Sequence, residues 1–289
     1  MMTRRRLLAS TALATCSVAL PSRIFAAVDF ESEMKTLERA SGGRLGVAML
    51  NPATGARHGY RAAERFPMCS TAKMLTVAAM LQVIDREQDH LDRPIIFSKR
   101  DIAGYSPATS SKLGPPGMTL RELCEAAIVL SDNTAMNLLL EEIGGPNAWT
   151  AFGRSLGDTV SRLDRNEPTL NECRPGDPRD TTTPEAMLAD MQKVVLGGVL
   201  SARSRDLLTG WMIACKTGDQ KIRAGVPAAW RIGDKTGNSG QGTSNDIAVI
   251  WPTGAQPWLL TVYLNDAKVS DPQQSAVSAN VARVCVALL

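Results

Sequence analysis

Ser70 and Lys73 stand three residues apart in the stretch Phe66-Pro67-Met68-Cys69-Ser70-Thr71-Ala72-Lys73-Met74. On a helix that spacing puts both on one face, about 5–6 Å apart at Cβ. Pro67 cannot continue a helix from upstream but is tolerated in a first turn, so the stretch predicts a helix start. A serine hydroxyl becomes a nucleophile when a neighbour takes its proton, and an amine in a dry pocket can do so. The N–H groups of a first helical turn lack partners and favour developing negative charge. Together these features suit acyl transfer. The spacing alone does not establish it: Ser32 and Lys35 share it, and there Glu31 and the apolar positions Phe30, Met34 and Leu37 predict a solvated helix pair.

Three further stretches carry chemistry. Ser131-Asp132-Asn133 precedes a helix holding Met136 and Leu138–Leu140, and taken alone it is an N-cap. Lys235-Thr236-Gly237 ends a strand beginning at Trp230, where a small residue lets a substrate approach the backbone and Lys and Thr can grip a carboxylate. A second Lys-Thr-Gly, Lys216–Gly218, closes a helix with no strand after it and is expected to cap that helix. Between Asn133 and Lys235 lie about 20 residues without periodicity, Arg162 to Asp180, which predict a functional Ω-loop. Arg165 and Asp180 can clamp its ends, and Glu167 and Asn171 can hold a water between them.

The elements that must position these residues follow from the pattern. Helices are predicted over Asp29–Ala40, Met74–Ile84, Thr119–Leu130, Asp132–Ile143, Asn147–Leu156, Pro184–Leu196, Ala202–Cys215 and Pro272–Leu289. Arg44–Leu50 and Arg57–Arg61 form a hairpin across Asn51–Gly55; further strands are predicted at Ala229–Lys235, Asn245–Trp251 and Trp258–Leu264. Strands at both ends and helices between them predict an α/β (α+β) two-domain fold. One antiparallel five-stranded sheet flanked by helices takes 28–65 and 218–289, and an inserted all-helical domain takes 66–217, with the Ω-loop at 162–180. The cleft between them is the expected site.

The 289 residues, 44% hydrophobic and 21% charged, are ordinary globular composition. Residues 1–27 predict an export signal of twin-arginine type: Arg4-Arg5-Arg6, an apolar run to Leu20, and a cleavage point near Ala26-Ala27. That leader holds Arg23 as well and no acid, so the formal charge of +3 becomes −1 without it. No basic patch then points to nucleic acid or an anionic membrane. The expected product is periplasmic or secreted, free of the membrane after signal removal, and monomeric. Five cysteines outlast the leader, Cys69, Cys124, Cys173, Cys215 and Cys285, without a C-x-x-C pair. The only histidines, His58 and His90, look like surface residues, so neither a zinc site nor a Ser-His-Asp triad is expected, nor any other metal or cofactor.

Taken in order, S-x-x-K, S-D-N, the Glu167 loop and K-T-G resemble the class A serine β-lactamases over about Asp29 to Leu289. The resemblance implies small-molecule β-lactam substrates and a site in the cleft of a β-lactamase/DD-peptidase-like fold. It implies that Ser70 attacks the lactam carbonyl, Lys73 moves its proton and Ser131 relays one to the leaving nitrogen. Backbone N–H groups of Ser70 and Asn238, next to Gly237, would form the oxyanion hole. Asn133 would bind the acyl amide, Lys235 and Thr236 the carboxylate, and Glu167 with Asn171 the deacylating water. Tyr105 matches the aromatic at the site mouth, and Arg223 the guanidinium some members direct at the carboxylate. Departures are Ala72 for a frequent phenylalanine, Ser244 for a frequent arginine, and missing partners for Cys69 and Cys124, so neither family disulfide is expected. A penicillin-binding DD-peptidase would lack the Glu167/Asn171 water site; a penicillin-sensing domain would normally carry a membrane tether.

Overall fold

The computed structural model describes residues 29–288; the expected export signal and Cys16 lie outside the described residues. The main sheet holds β1 (Arg44–Leu50), β2 (Arg57–Tyr60), β7 (Arg231–Asn238), β8 (Ser244–Trp251) and β9 (Trp258–Asn265). Its order is β2-β1-β9-β8-β7, antiparallel throughout. Two-residue strands make the pairs β3 (Phe66–Pro67) with β6 (Thr181–Thr182) and β4 (Pro94–Ile95) with β5 (Met118–Thr119). The helices are α1 (Phe30–Ser41), α2 (Ala72–Asp85), α3 (Leu120–Val129), α4 (Asn133–Ile143), α5 (Gly145–Ser155), α6 (Pro184–Val195), α7 (Ala202–Ile213), the single turn α8 (Ile222–Gly225) and α9 (Asp271–Val286).

The sheet is covered on both faces, so its central strands are apolar at nearly every position rather than at alternate ones. Leu45, Val47 and Met49 of β1 and Leu260, Val262 and Leu264 of β9 pack with α1, α8 and α9 around Met34, Ile222, Val277 and Val281. Their neighbours Ala48, Leu50, Leu259 and Tyr263 turn to the other face, into the core shared with α2–α7. The strand period of two assigns each residue its side.

α2 is buried from Ala72 through Leu81. A helix apolar all round belongs inside a helical block, and here it is the axle of that block. Trp149 of α5, fully buried, donates its indole N–H to the Ala72 carbonyl (3.1 Å). α6 departs from a clean division between the two halves. It lies within the helical stretch in sequence yet packs on β1 and β9: a Cβ on Gly46 would strike Phe66 and Pro184, and the Thr261 hydroxyl donates to the Pro184 carbonyl (2.9 Å). Near the site, β3 immediately precedes the Ser70 turn and pairs with β6 at the end of the Ω-loop. One short ladder therefore ties the loop to the chain leading into Ser70.

Candidate active site

Residues Cys69–Thr71 form a 3-10 turn that runs into α2, placing Ser70 and Lys73 one turn apart. Cys69 enters it in the left-handed region (φ 47°), and Ser131 reaches the site the same way (φ 58°). Such conformations cost energy in non-glycine residues and cluster at functional sites. Asp132 caps α4 through the Ala135 N–H (2.9 Å) and also accepts from the Ala108 N–H (2.9 Å) and the Thr109 N–H (3.0 Å). The cap thus does two jobs, starting α4 and pinning the loop that carries Tyr105.

Lys73 is the hub. Its Nζ lies 2.7 Å from Ser70 Oγ, 3.0 Å from the Ser131 carbonyl, 3.4 Å from Ser131 Oγ and 2.7 Å from Asn133 Oδ1. Glu167 Oε1 is 2.9 Å away, and both side chains are wholly buried. Burial pulls the Lys73 ammonium below the usual amine range, with Glu167 and then Asp132 opposing it. Glu167 Oε1 also accepts from Ser70 Oγ (3.3 Å), and its Oε2 accepts from Asn171 Nδ2 (2.5 Å). Asn171 Oδ1 is buried without a partner. It is therefore free to accept a hydrogen bond from a donor such as water.

The Ω-loop is held at both ends. Arg165 Nε meets Asp180 Oδ2 at 2.5 Å, and Asp180 Oδ1 accepts from the Asp164 and Arg165 N–H groups (2.7 and 3.0 Å). In the middle, Asn137 of α4 grips the Glu167 backbone in both directions, donating to its carbonyl and accepting from its N–H, each at 2.9 Å.

The opposite wall is β7, one of the sheet's two edge strands. Gly237 is required there by close approach: a Cβ would sit 2.8 Å from the Met68 carbonyl and 3.1 Å from the Ser70 nitrogen. β7 continues one residue beyond, so Asn238 ends the strand at the mouth. Lys235 Nζ donates to Ser131 Oγ (3.0 Å) and to the Thr236 carbonyl (2.8 Å). Burial first, and Lys73 among the neighbouring charges, push its ammonium down to about 8. Ser131 Oγ therefore sits between two buried amines. Ser70, Tyr105, Ser131, Asn133, Asn171, Thr236, Gly237 and Asn238 line one cavity of about 290 Å³, with Tyr105 60% exposed at its rim. Lys73, Glu167 and Lys235 lie behind this lining.

Two expectations need correction. Arg223 does not face the cleft. Its guanidinium pairs with the fully buried Asp234 carboxylate and lies near the Ile213 and Ile232 carbonyls. Lys221 precedes α8 in non-helical backbone, whereas Arg223 lies inside the turn, and their side chains take different partners. The cation on the cleft side is Lys221, which donates to Asn238 Oδ1 (2.8 Å) and the Asn245 carbonyl (2.9 Å). Burial pushes it down to about 8, against the charge of Asp246. The second Lys-Thr-Gly is not a helix cap either. α7 ends at Ile213, the Lys216 N–H bonds to the Val129 carbonyl, and the Thr217 hydroxyl lies 2.6 Å from the Thr236 hydroxyl on the cavity wall. Gly218 is fixed by packing, since its Cβ would fall on the Asp234 carboxylate. Lys221 and Thr217 are thus the site residues that sequence reasoning passed over.

All five cysteines of the described residues are free thiols. A larger cavity of about 660 Å³ lies against α4, lined in part by Asn137, Glu167 and Pro168, and does not include Ser70.

Known proteins carry this architecture. β-Lactamase L2 of Stenotrophomonas maltophilia is 45% identical over 303 aligned residues, covering 100% of both chains. β-Lactamase CTX-M-25 of Escherichia coli is 43% identical, covering 97% of this chain and 96% of its own. Among solved structures, an ancestral (GNCA) class A β-lactamase aligns with a TM-score of 0.87 at 56% identity, covering 89% of this chain and 98% of that one. The putative class A β-lactamase PenP from Rhodopseudomonas palustris aligns at 0.88 and 50% identity, covering 90% and 99%. A family model described as the β-lactamase enzyme family matches residues 29–289. With a buried lysine on the serine, a glutamate on the pinned loop and full-length likeness to these enzymes, the chain belongs to the β-lactamase family, in its class A serine branch.

Proposed function

We propose that this protein hydrolyses the amide bond of β-lactam antibiotics through an acyl-enzyme on Ser70 and thereby confers resistance to them. The observation that carries this is the Glu167 carboxylate, 3.3 Å from Ser70 Oγ and 2.5 Å from Asn171 Nδ2. An enzyme that only acylates has no use for a second base on that side of the ester.

Ser70 Oγ adds to the lactam carbonyl as its proton passes to Lys73, whose depressed basicity makes the neutral amine accessible. The oxyanion is stabilised by the N–H groups of Ser70 and Asn238, which the missing Cβ of Gly237 allows to sit close together. Losing one such donor typically costs about 2.7–4 kcal/mol. Ser131 Oγ, 3.4 Å from Lys73 Nζ and 3.0 Å from Lys235 Nζ, passes a proton to the departing ring nitrogen. Glu167 and Asn171 then deliver water to the ester. The substrate carboxylate meets the Thr236 and Thr217 hydroxyls, with Lys235 supplying charge from behind, and Asn133 with Tyr105 receives the acyl side chain.

The division into a sheet unit and a helical unit at 66–217, export through residues 1–27 and action as a monomer belong to the same proposal. Arg4–Arg6 ahead of an apolar run support the export. Among the described residues no helix is long and apolar enough to cross a membrane. The test is spectrophotometric loss of a penicillin, an oxyimino-cephalosporin and a carbapenem, side by side, with Ser70→Ala as control. Turnover of at least one by the unaltered chain, abolished in the variant along with any covalent adduct, is the expected result. Turnover that persists without Ser70 refutes it.

A further inference from the structure

We propose that Cys69 and Cys173 form a dithiol redox site, and that their oxidation to a disulfide ties the Ω-loop to the nucleophile's turn. Their sulfurs lie 3.5 Å apart although the residues are 104 positions apart in the chain. Cys173 is not in the segment after K-T-G where the family resemblance would place a partner for Cys69. Both residues hold left-handed backbone, φ 47° and 49°, so each sulfur is presented by a turn and not by a regular element. A disulfide needs about 2.05 Å between sulfurs, so the pair must close by about 1.5 Å in all. The other three thiols, Cys124, Cys215 and Cys285, are buried, and no contact between any of them and a second cysteine is recorded among the described residues.

The two thiols divide the roles that exchange chemistry requires. Cys69 is fully buried, whereas Cys173 is partly open to solvent. The Cys69 thiol, donating to its neighbour, holds Cys173 below the usual thiol range, helped by the Thr243 and Ser239 hydroxyls and the Arg165 charge and opposed by burial. Cys69 is driven well above that range by the same contact and by burial. Cys173 is thus the attacking thiolate and Cys69 the resolving group. With a low-molecular-weight disulfide as oxidant, the Cys173 thiolate attacks one sulfur, forming a mixed disulfide and releasing one thiolate. Cys69 Sγ then attacks Cys173 Sγ, breaking the mixed bond, and its proton leaves with the second released thiol. One external disulfide is reduced to two thiols, and the cysteine pair loses two hydrogens.

The bond would join the residue just before Ser70 to the one two places after Asn171. The turns Cys69–Thr71 and Thr169–Asn171 would then move as one body. An effect on the acyl-enzyme rests on the function proposed above, but formation of the bond does not.

The experiment treats the reduced, desalted protein with 2-hydroxyethyl disulfide and reads intact mass, peptide maps and amide hydrogen exchange. Loss of two hydrogens, one cross-linked peptide pair holding Cys69 and Cys173, and exchange at 166–172 slowed at least tenfold are expected. A reductant should reverse all three, and Cys173→Ser should show none of them. Decay of a penicillin adduct, measured alongside, should change at least threefold with oxidation in the unaltered chain only. A mixed disulfide that persists on Cys173, a cross-link between other cysteines, or a Cys69–Cys173 bond that leaves loop exchange unchanged would overturn the proposal. If no adduct forms while the cross-link and the exchange change both appear, the catalytic assignment fails and the redox site stands.

Discussion

Glu167→Gln separates the two halves of the reaction. Glutamine keeps the shape of the side chain, so the packing around Asn171 and Asn137 is preserved while the proton acceptor is lost. Removing a positioned general base typically costs about 10²–10⁴-fold, which at about 1.36 kcal/mol per tenfold is about 2.7–5.4 kcal/mol on the deacylation barrier. The change also removes the buried ion pair with Lys73. Breaking such a pair costs about 3–5 kcal/mol when the remaining charge has no other partner. Here Lys73 keeps Ser70 Oγ, the Ser131 carbonyl and Asn133 Oδ1 as acceptors, so the stability loss should fall below that range. Because Glu167 leads the forces that hold the Lys73 proton against burial, its loss moves Lys73 further toward the neutral amine, the form that can deprotonate Ser70. Acylation should therefore survive better than deacylation. Rapid mixing with a penicillin, acid quench and intact mass spectrometry should show an adduct near one per protein, mapped to Ser70. It should decay about 10²–10⁴ times more slowly than in the unaltered enzyme. An adduct that clears at the unaltered rate refutes the role of Glu167. Failure to form any adduct in a folded variant would show that Lys73 alone cannot start the reaction.

Other expectations follow from the same geometry. Gly237→Ala forces a methyl against the Met68 carbonyl and Ser70 nitrogen, and kcat/KM should fall at least tenfold with the melting point little changed; an unimpaired variant would contradict the close approach. Arg165→Ala leaves the buried Asp180 carboxylate without its cation but with two backbone N–H donors, so less than about 3–5 kcal/mol of local stability should go, read as faster amide exchange over 164–180, and unchanged exchange would dismiss the clamp. In the free enzyme the Lys235 ammonium is depressed to about 8, so it is charged below that pH and neutral above it. kcat/KM for an anionic penicillin should therefore decline as pH rises through about 8, and a flat profile to pH 10 would exclude Lys235 as the source of charge. Arg223→Ala should lower the urea midpoint and leave KM nearly unchanged, because its partner is Asp234; the opposite outcome would restore Arg223 to the substrate.

The fold was largely legible because local signals and burial agree. Gly42 and Gly144 stop their helices in left-handed backbone, Thr119 and Glu122 make a capping box, and the central strands are apolar at nearly every position because both faces are covered. Ser70, Lys73 and Glu167 could be singled out because their motifs stand in the family's order, and the structure brings the three side chains together. What escaped depends on direction rather than order. Lys221 stands just before the one-turn helix and Arg223 within it, and the two side chains take different partners, Asn238 and Asp234, that lie far away in the sequence. Thr217 sits in a stretch whose local pattern ends a helix, and its hydroxyl matters only because β7 brings Thr236 beside it. Cys173 meets Cys69 because the Ω-loop folds back over the Ser70 turn, a contact that no periodicity encodes.

The lysines explain why the arrangement holds together only as a whole. Lys73, Lys221 and Lys235 are all buried, and each is depressed chiefly by loss of solvent. A buried ammonium is tolerated when neighbouring oxygens replace its water shell. Here those oxygens belong to the residues that the proposed reaction uses: Ser70, Ser131, Asn133 and Glu167 around Lys73, Ser131 and Thr236 around Lys235, and Asn238 beside Lys221. The same contacts that make the amines affordable in the core also aim the hydroxyls and depress the basicities. Removing one member should therefore change stability and proton transfer together, and a double variant of Lys73 and Glu167 should cost less than the sum of its parts.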